Sequence, residues 1–142
     1  MNKNKNNAIT LLREGELSEP IGLYSQGAMI ANTASILFVA GQLAVDENGS
    51  IVGERDFAAQ VHQVFSNLGR VLRAAEMDFG NVLKFTTYLT NSFHLEEFYS
   101  VRAELFARLF PTAEYPPNTL LVVERLVQAE FLIEIEAIAG RN

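Results

Sequence analysis

One stretch near the C-terminus decides the fold: Phe131-Leu132-Ile133-Glu134-Ile135-Glu136-Ala137-Ile138-Ala139. Its β-branched residues and strict alternation predict a strand with one apolar face. The opposite face carries Leu132, Glu134, Glu136 and Ile138, so two carboxylates stand between apolar neighbours. Burying a carboxylate without partners is costly or raises its pKa. A wet cleft, a hydrogen-bonded subunit interface or a catalytic pocket would each accommodate these acids.

Outward from this strand, the sequence predicts two amphipathic helices and several further strands. Asp56 is a suitable N-cap for a first helix that ends near 76–78, and a second helix begins between 92 and 95 and stops at Pro111. The other main strands are predicted at 36–40, which is apolar on both faces and therefore buried, at 82–90 and at 119–124. We predict an α+β fold: a single domain with a mixed β-sheet and two helices on one face.

Composition excludes several classes of protein. The 142 residues, 49% of them hydrophobic, suit one domain spanning residues 1–142, with Met1 to Asn7 as a disordered tail. A net charge of −6 argues against a nucleic-acid partner, because phosphate binding depends on Lys and Arg. The absence of Cys excludes disulfides and thiolate sites, and two separated His residues argue against a metal site.

The N-terminus and the outer sheet face carry predictions about location and assembly. Residues 1–7 lack the apolar core of a signal peptide, and no apolar run approaches the roughly 20 residues of a membrane span. The default is therefore a cytoplasmic protein with no membrane partner. The face of Glu134 and Glu136, extended by Thr86 and Tyr88, is too apolar to stay bare and too polar for a core. It predicts self-association that traps partly wet clefts.

Five short motifs follow one another along the chain: Gly22-Leu23-Tyr24-Ser25-Gln26, Val39-Ala40-Gly41-Gln42, Asn67-Leu68, Lys84-Phe85-Thr86-Thr87 and Ile133-Glu134-Ile135-Glu136-Ala137-Ile138-Ala139. In content and order they resemble the Rid family, the reactive-intermediate deaminases also called YjgF-like or L-PSP proteins. The resemblance covers the chain from about Gly22 to Ala139, and its closing motif is fairly specific.

The resemblance implies a chorismate-mutase-like fold assembled as a homotrimer, with three clefts between subunits. In the deaminating branch, each cleft hydrolyses imines or enamines derived from amino acids to a 2-keto acid and ammonia. No metal or organic cofactor is used. An arginine in a Pro-Ala-Arg-Ser-like segment binds the substrate carboxylate, a glutamate of the closing strand supports the attacking water, and an early tyrosine lines the pocket.

Carried over residue by residue, the resemblance gives Tyr24 and Gly41 substrate-binding roles and Glu134 the catalytic role. The arginine has no counterpart, because Pro116-Pro117-Asn118-Thr119 occupies its segment and places Asn118 where it would stand. Asparagine offers hydrogen bonds but no charge, and a lost charge-assisted bond to a carboxylate is worth about 1.5–3 kcal/mol. The chain is therefore predicted to be a divergent member and not a standard 2-imino acid deaminase.

Each candidate residue also has a purely structural interpretation. Glu134 would otherwise accept backbone or interface hydrogen bonds, as we expect for Glu136, and Tyr24 would pack with its hydroxyl bonded. Asn118 would be a turn residue that bonds its own backbone. Two arginines are candidate replacement cations: Arg102, otherwise a solvated charge on the second helix, and Arg125, otherwise a partner of Glu124 or Glu130.

These observations predict a trimeric protein that binds a small polar metabolite in its intersubunit clefts. If it is catalytic, it hydrolyses an imine, an enamine or a related C=N compound without a cofactor. The alternative is a non-catalytic binding or regulatory trimer. A third interpretation, an endoribonuclease, comes from the L-PSP label, and the acidic charge and the lack of paired His residues count against it.

Overall fold

A mixed four-stranded sheet forms the centre of the structure, a computed structural model that describes residues 9–142. The elements are β1 (Ile9–Leu12), β2 (Gly27–Ile30), β3 (Ser35–Gln42), α1 (Phe57–Ala74), β4 (Val82–Leu89), α2 (Leu95–Leu109), β5 (Asn118–Val122) and β6 (Ile133–Arg141). The sheet order is β3-β6-β4-β5, antiparallel except for the parallel β4–β5 pair. Strands β1 and β2 form a separate antiparallel hairpin.

The alternation of the closing strand is confirmed. Ile133, Ile135 and Ala137 are buried in the core, whereas Glu134 and Glu136 point to the other face and stay partly exposed. Strand β6 lies between β3 and β4, so its acids occupy the middle of the outer sheet face. The segment 131–132 precedes the strand, which begins at Ile133, later than predicted.

Both helices pack on the inner face, as predicted. Helix α1 begins after Asp56, whose side chain accepts a hydrogen bond from Ala59 N, and it ends at Ala74, slightly before the predicted 76–78. The ring of Phe65 on α1 meets the rings of Phe85 on β4 and Phe106 on α2 edge-on, with centroids 6.0 and 5.9 Å apart. This aromatic cluster joins the two helices to the sheet.

The prediction that the 36–40 strand is buried on both faces is wrong. Strand β3 lies at an edge of the sheet, and the helices cover only one side of it. Val39 therefore faces the core, while Ile36 and Phe38 on the outer face are 53% and 75% exposed. The outer face thus carries large apolar side chains around the two acids.

A buried amide on α1 fixes the start of β6. The fully buried side chain of Gln60 donates through Nε2 to Gly53 O (3.1 Å) and Glu130 O (2.8 Å). Its Oε1 accepts from Leu132 N at 2.8 Å. Three backbone groups that lie away from any strand partner are satisfied in this way. Gln60 therefore sets the position of the chain immediately before Glu134.

The predicted tail, Met1 to Asn7, lies outside the described residues. Across residues 9–142, neither helix combines the length and the apolarity needed to cross a membrane. The cytoplasmic location stays a prediction.

Candidate functional site

Glu134 lies directly against the backbone of Gly41. Strand β3 bulges between Val39 and Gln42 where it pairs with β6, and Gly41 lies within this bulge. A Cβ added at Gly41 would overlap the Glu134 carboxylate, at 2.7 Å from Cδ and 2.9 Å from Cγ. Cβ atoms in proteins do not approach other atoms so closely. A residue other than glycine at position 41 would therefore displace the Glu134 carboxylate.

The environment of Glu134 favours its protonated form. Burial raises the pKa of the Glu134 carboxyl above its ordinary value, and the neighbouring charge of Glu136 adds to the effect. Glu136 in turn accepts a hydrogen bond from the Tyr88 hydroxyl at 3.0 Å. That bond is the main reason why the pKa of Tyr88 is raised, followed by burial. The two acids therefore differ in their surroundings: Glu136 has a fixed hydrogen-bond donor, whereas the Glu134 carboxyl lies against the Gly41 backbone.

Two grooves run over the outer sheet face. The first, of about 530 Å³, lies between the loop before β2 and strands β4 and β5, and its lining includes Tyr24, Lys84, Asn118 and Ile138. The second, of about 540 Å³, runs beside β3 and is lined by Phe38, Val39, Ala40, Lys84, Thr86, Glu136, Ala137 and Ile138. Lys84 and Ile138 belong to both linings, so the grooves meet at these residues.

The structure groups the four predicted site residues into two pairs. Tyr24 and Asn118 line the first groove together. Gly41 and Glu134 contact each other across the β3–β6 pair, and neither belongs to the lining of these two grooves. Asn118 Oδ1 accepts a hydrogen bond from Thr87 Oγ1 at 2.9 Å, which is a bond to a neighbouring strand and not to its own backbone.

The two candidate cations have different environments. Arg102 is 4% exposed, so a solvated helix-face charge is the wrong interpretation. Arg125 is exposed, and its guanidinium donates to Leu126 O and Val127 O of its own loop. Within residues 9–142, neither arginine forms an ion pair with a carboxylate.

The histidines and acids do not assemble a metal site in the described part of the chain. His94 stacks on Phe57 with ring centroids 4.2 Å apart, and His62 is exposed on α1. Across residues 9–142 there is no group of three or more His, Cys, Asp or Glu side chains that could hold a metal ion.

Comparison with known proteins gives the family. The profile described as Endoribonuclease L-PSP matches residues 16–140. The chain belongs to the L-PSP family. A RutC family protein of Synechocystis is 34% identical over 130 residues, covering 91% of this L-PSP chain and 94% of the relative. The human 2-iminobutanoate/2-iminopropanoate deaminase is 30% identical over 119 residues, covering 84% of this chain and 80% of that protein.

A solved structure confirms the fold of this L-PSP protein. The Rid family protein YyfB from Yersinia pestis, described as of unknown function, superposes with a TM-score of 0.83 at 29% identity. The match covers 94% of this chain and 98% of that one. The single α+β domain predicted from the sequence is thus confirmed, together with the membership of the YjgF/Rid group.

Lys84 is a groove residue of this L-PSP protein that the sequence analysis did not select. It alternates on β4 with the buried Phe85, which puts its side chain on the outer face beside Thr86. The signal was available, because a lysine inside a strand otherwise rich in apolar and Thr residues marks a face that water reaches. Its position at the junction of both grooves could not be read from alternation alone.

We expect Gly41→Ala to displace the Glu134 carboxylate at a stability cost of about 1–2 kcal/mol. The side chain can rotate away, so the fold should persist. In a double-mutant cycle with Glu134→Ala, the cost of the Gly41→Ala substitution should largely vanish, because the atoms that the added methyl group meets are gone. Chemical denaturation of the four proteins measures this coupling. Equal costs of Gly41→Ala with and without Glu134 would refute the contact.

Proposed function

We propose that this L-PSP protein binds a small polar metabolite at clefts of the outer sheet face and hydrolyses a C=N bond. Glu134 would be the catalytic acid–base group, with Gly41 providing space and Tyr24 and Asn118 contacting the ligand. The observation that carries the proposal is the Glu134 carboxyl, half-buried against Gly41 with a raised pKa. A carboxyl group of this kind can exchange a proton near neutral pH.

The chemistry requires one water and no cofactor. Glu134 removes a proton from water as the oxygen bonds to the imine carbon, and the C=N π electrons move to nitrogen. The protonated Glu134 then returns its proton to the nitrogen of the tetrahedral intermediate. Glu134 next takes the hydroxyl proton of this carbinolamine and passes it to the nitrogen as the C–N bond breaks, so ammonia leaves, a carbonyl group remains and Glu134 is ionised again. Each step balances with imine and water as the only reactants.

The first groove indicates which hydrogen-bonding group the substrate would carry. Asn118 uses its carbonyl oxygen for the bond from Thr87, which leaves its amide nitrogen as a donor. No hydrogen bond of that nitrogen occurs among residues 9–142, so it is available to a ligand acceptor. Because Asn118 carries no charge, it offers a neutral N–H donor and no ion pair, so a substrate carboxylate would need its cation elsewhere in the site.

The direct test is hydrolysis of freshly generated 2-aminoacrylate and of a neutral imine of similar size. We expect 2-oxo product and ammonia in equal amounts, faster than the spontaneous reaction, and dependent on Glu134. The ratio of the two rates shows whether the substrate needs a carboxylate. If no C=N compound is turned over above the spontaneous rate, the catalytic proposal is wrong.

We also propose that the protein is a homotrimer whose clefts lie between subunits. The apolar outer face supports this, because Ile36 and Phe38 are more than half exposed in one chain and Phe38 lines the second groove. Large exposed apolar patches of this kind mark association surfaces. The partner subunit would then cover β3 and enclose the groove beside Glu136.

Phe38→Asp should dissociate the trimer, because it buries a charge in the proposed interface. Phe93→Asp is a matched control, since Phe93 is 88% exposed and lies before α2, away from the sheet face. Light scattering after size exclusion measures both masses. A trimeric Phe38→Asp protein, or a monomeric wild type, would contradict the proposed assembly.

A non-catalytic binding trimer is the second candidate. The observation that favours it is Asn118 on β5, which stands where the family resemblance implies an arginine and leaves Lys84 as the cation in the lining of the first groove. In that case a metabolite would raise the melting temperature without being consumed. Thermal shift followed by analysis of the recovered ligand separates the two functions.

Endoribonuclease activity, the description carried by the family, has weaker support. With a net charge of −6, the chain offers little neutralisation of RNA phosphates. RNA cleavage that survives further purification and is lost in Glu134→Gln would revive it.

A further inference from the structure

Arg102 is a buried cation without an anion. Its side chain lies along α2, with the guanidinium carbon 5.1, 5.2 and 5.6 Å from the ring centroids of Phe98, Tyr99 and Phe106. Its Nε is buried and has no hydrogen-bond partner among residues 9–142. The residue is only 4% exposed, and burial lowers the pKa of its guanidinium.

No acid of this chain is left to neutralise Arg102. Residues 1–8 contain no Asp or Glu, so all 17 acidic side chains lie in the described part. None of them forms an ion pair with Arg102. Aromatic faces compensate a buried cation only partly, and an unpaired buried charge is costly. An anion that pairs with Arg102 would therefore have to come from outside the chain.

The guanidinium lies beside the groove loop. A Cβ added at Gly22 would be 3.5 Å from Arg102 Nη2 and 3.9 Å from the Tyr24 ring, so both side chains lie beside Gly22. Tyr24 also lines the first groove, together with Asn118. Unlike Nε, Nη1 and Nη2 are not fully enclosed by residues 9–142, so this edge of the guanidinium is the one that a ligand could reach.

We propose that Arg102 is the anion-binding residue of this L-PSP protein and holds the carboxylate of a small ligand on the Gly22–Tyr24 side of the first groove. The inference rests on the proposed metabolite site and names its ligand class. It places the carboxylate on the α2 side of the groove, whereas Asn118 on β5 receives a neutral group. The aromatic rings hold the guanidinium plane, which suits a two-point bond to a carboxylate.

A carboxylate of a partner subunit is the rival anion. The adjoining groove favours a ligand, because its volume of about 530 Å³ suits a small molecule and Tyr24 connects it to Arg102. The absence of a side chain at Gly22 keeps the space beside Nη2 open. A permanent ion pair between subunits would need neither feature.

The test measures binding of pyruvate and its neutral amide, pyruvamide, by calorimetry. We expect wild type to prefer pyruvate and Arg102→Gln to bind it about 10- to 100-fold more weakly, with pyruvamide unaffected. Arg102→Lys keeps the charge but loses the two-point geometry, so its affinity should be intermediate. Arg108→Gln is the matched control, an exposed arginine on the same helix, and should bind as wild type does.

An NMR measurement on the wild-type protein does not depend on whether the variants fold. The Nε–H signal of Arg102 in wild-type protein should be protected from solvent exchange and should shift with pyruvate but not with pyruvamide. Bound pyruvate that leaves this signal unmoved would overturn the proposal. So would equal affinity for both probes, undiminished pyruvate binding by Arg102→Gln, or loss of pyruvate binding on Lys84→Gln alone.

Two further measurements distinguish a ligand carboxylate from a partner subunit's carboxylate, and the role of Arg102 from the proposed catalysis. If Arg102→Gln dissociates the assembly in sedimentation while wild type ignores pyruvate, the anion is a partner's carboxylate and the proposal fails. Glu134→Gln should still bind pyruvate, because hydrolysis and carboxylate binding use different residues. If pyruvate binds but no imine is turned over, only the proposed catalysis is wrong. If imines are turned over but pyruvate binding does not depend on Arg102, only the role of Arg102 is wrong.

Discussion

Glu134→Gln should lower kcat for C=N hydrolysis by about 10²–10⁴-fold, the usual contribution of a positioned general acid–base group. Glutamine has nearly the same shape, so it still fits against Gly41, but it cannot take a proton from water or return one to nitrogen. The Michaelis constant should change less than kcat, since the lost function belongs to the transition state. Steady-state release of ammonia measures both constants.

Glu136→Gln is the matched control for this prediction. It changes the neighbouring acid on the same face, whose carboxylate accepts the Tyr88 hydroxyl. We expect less than about a tenfold loss, because this substitution keeps a hydrogen-bond acceptor and touches no step of proton transfer. A larger loss of kcat in Glu136→Gln than in Glu134→Gln would show that Glu136 is the catalytic acid–base group.

Stability measurements on Glu134→Gln distinguish a loss of catalysis from unfolding. The folded state raises the pKa of Glu134, so it binds that proton more tightly than the unfolded chain does. The stabilising effect of protonation is present below the ordinary pKa of 4.5 and is lost as pH rises through the higher folded value. Glu134→Gln should therefore be slightly more stable than wild type near neutral pH, by less than about 1 kcal/mol because solvent screens the group.

Thermal unfolding across a pH series checks the sign. The extra stability of Glu134→Gln should shrink as the pH falls toward 4.5, the ordinary pKa of a glutamate, because the wild-type carboxyl then carries the proton itself. A variant that is clearly less stable than wild type at neutral pH would mean that favourable contacts hold the carboxylate ionised.

The parts of the fold that follow from local pattern were predictable from the sequence. The alternation of Ile133 and Ile135 with Glu134 and Glu136 needs only strand geometry, and the structure buries the first pair and leaves the second on the outer face. The N-cap at Asp56 is likewise a local hydrogen bond, from Ala59 N. Both depend on neighbours in sequence.

The errors fall where distant residues decide. The apolar strand around Phe38 was expected to be buried, yet it lies at the edge of the sheet and leaves Phe38 75% exposed. Arg102 was expected in water, but three aromatic rings of its own helix enclose it. Helical periodicity does not distinguish a charge on the boundary of the apolar stripe from one in solvent.

The contact between Gly41 and Glu134 connects fold and site. The family resemblance named both residues, but it did not say that one makes room for the other. The bulge in β3 brings the glycine backbone to the carboxylate, and the same burial raises the pKa of that carboxyl. Two positions far apart in sequence thus determine one property, which is why a substitution at either should alter the proton chemistry.

Gln60→Leu should destabilise the protein by about 2–4 kcal/mol, because it leaves buried backbone groups unpaired. The volume of the side chain is nearly kept, so lost hydrogen bonds and not a cavity would cause the effect. Leu132 N loses its acceptor and the carbonyl of Glu130 loses its donor, whereas Gly53 O keeps the bond from Asp56 N. Chemical denaturation measures the free energy of unfolding.

Gln63→Leu is the matched control on the same helix. Gln63 also bonds a carbonyl, Val45 O at 3.1 Å, but it is partly exposed, so water can replace the lost donor. We expect a cost of less than about 1 kcal/mol there. In Gln60→Leu, hydrogen exchange at the Leu132 amide should accelerate more than at the centre of β6, because the entry to that strand loses its anchor. Equal stability of the two variants would show that Gln60 does not hold the strand that carries Glu134.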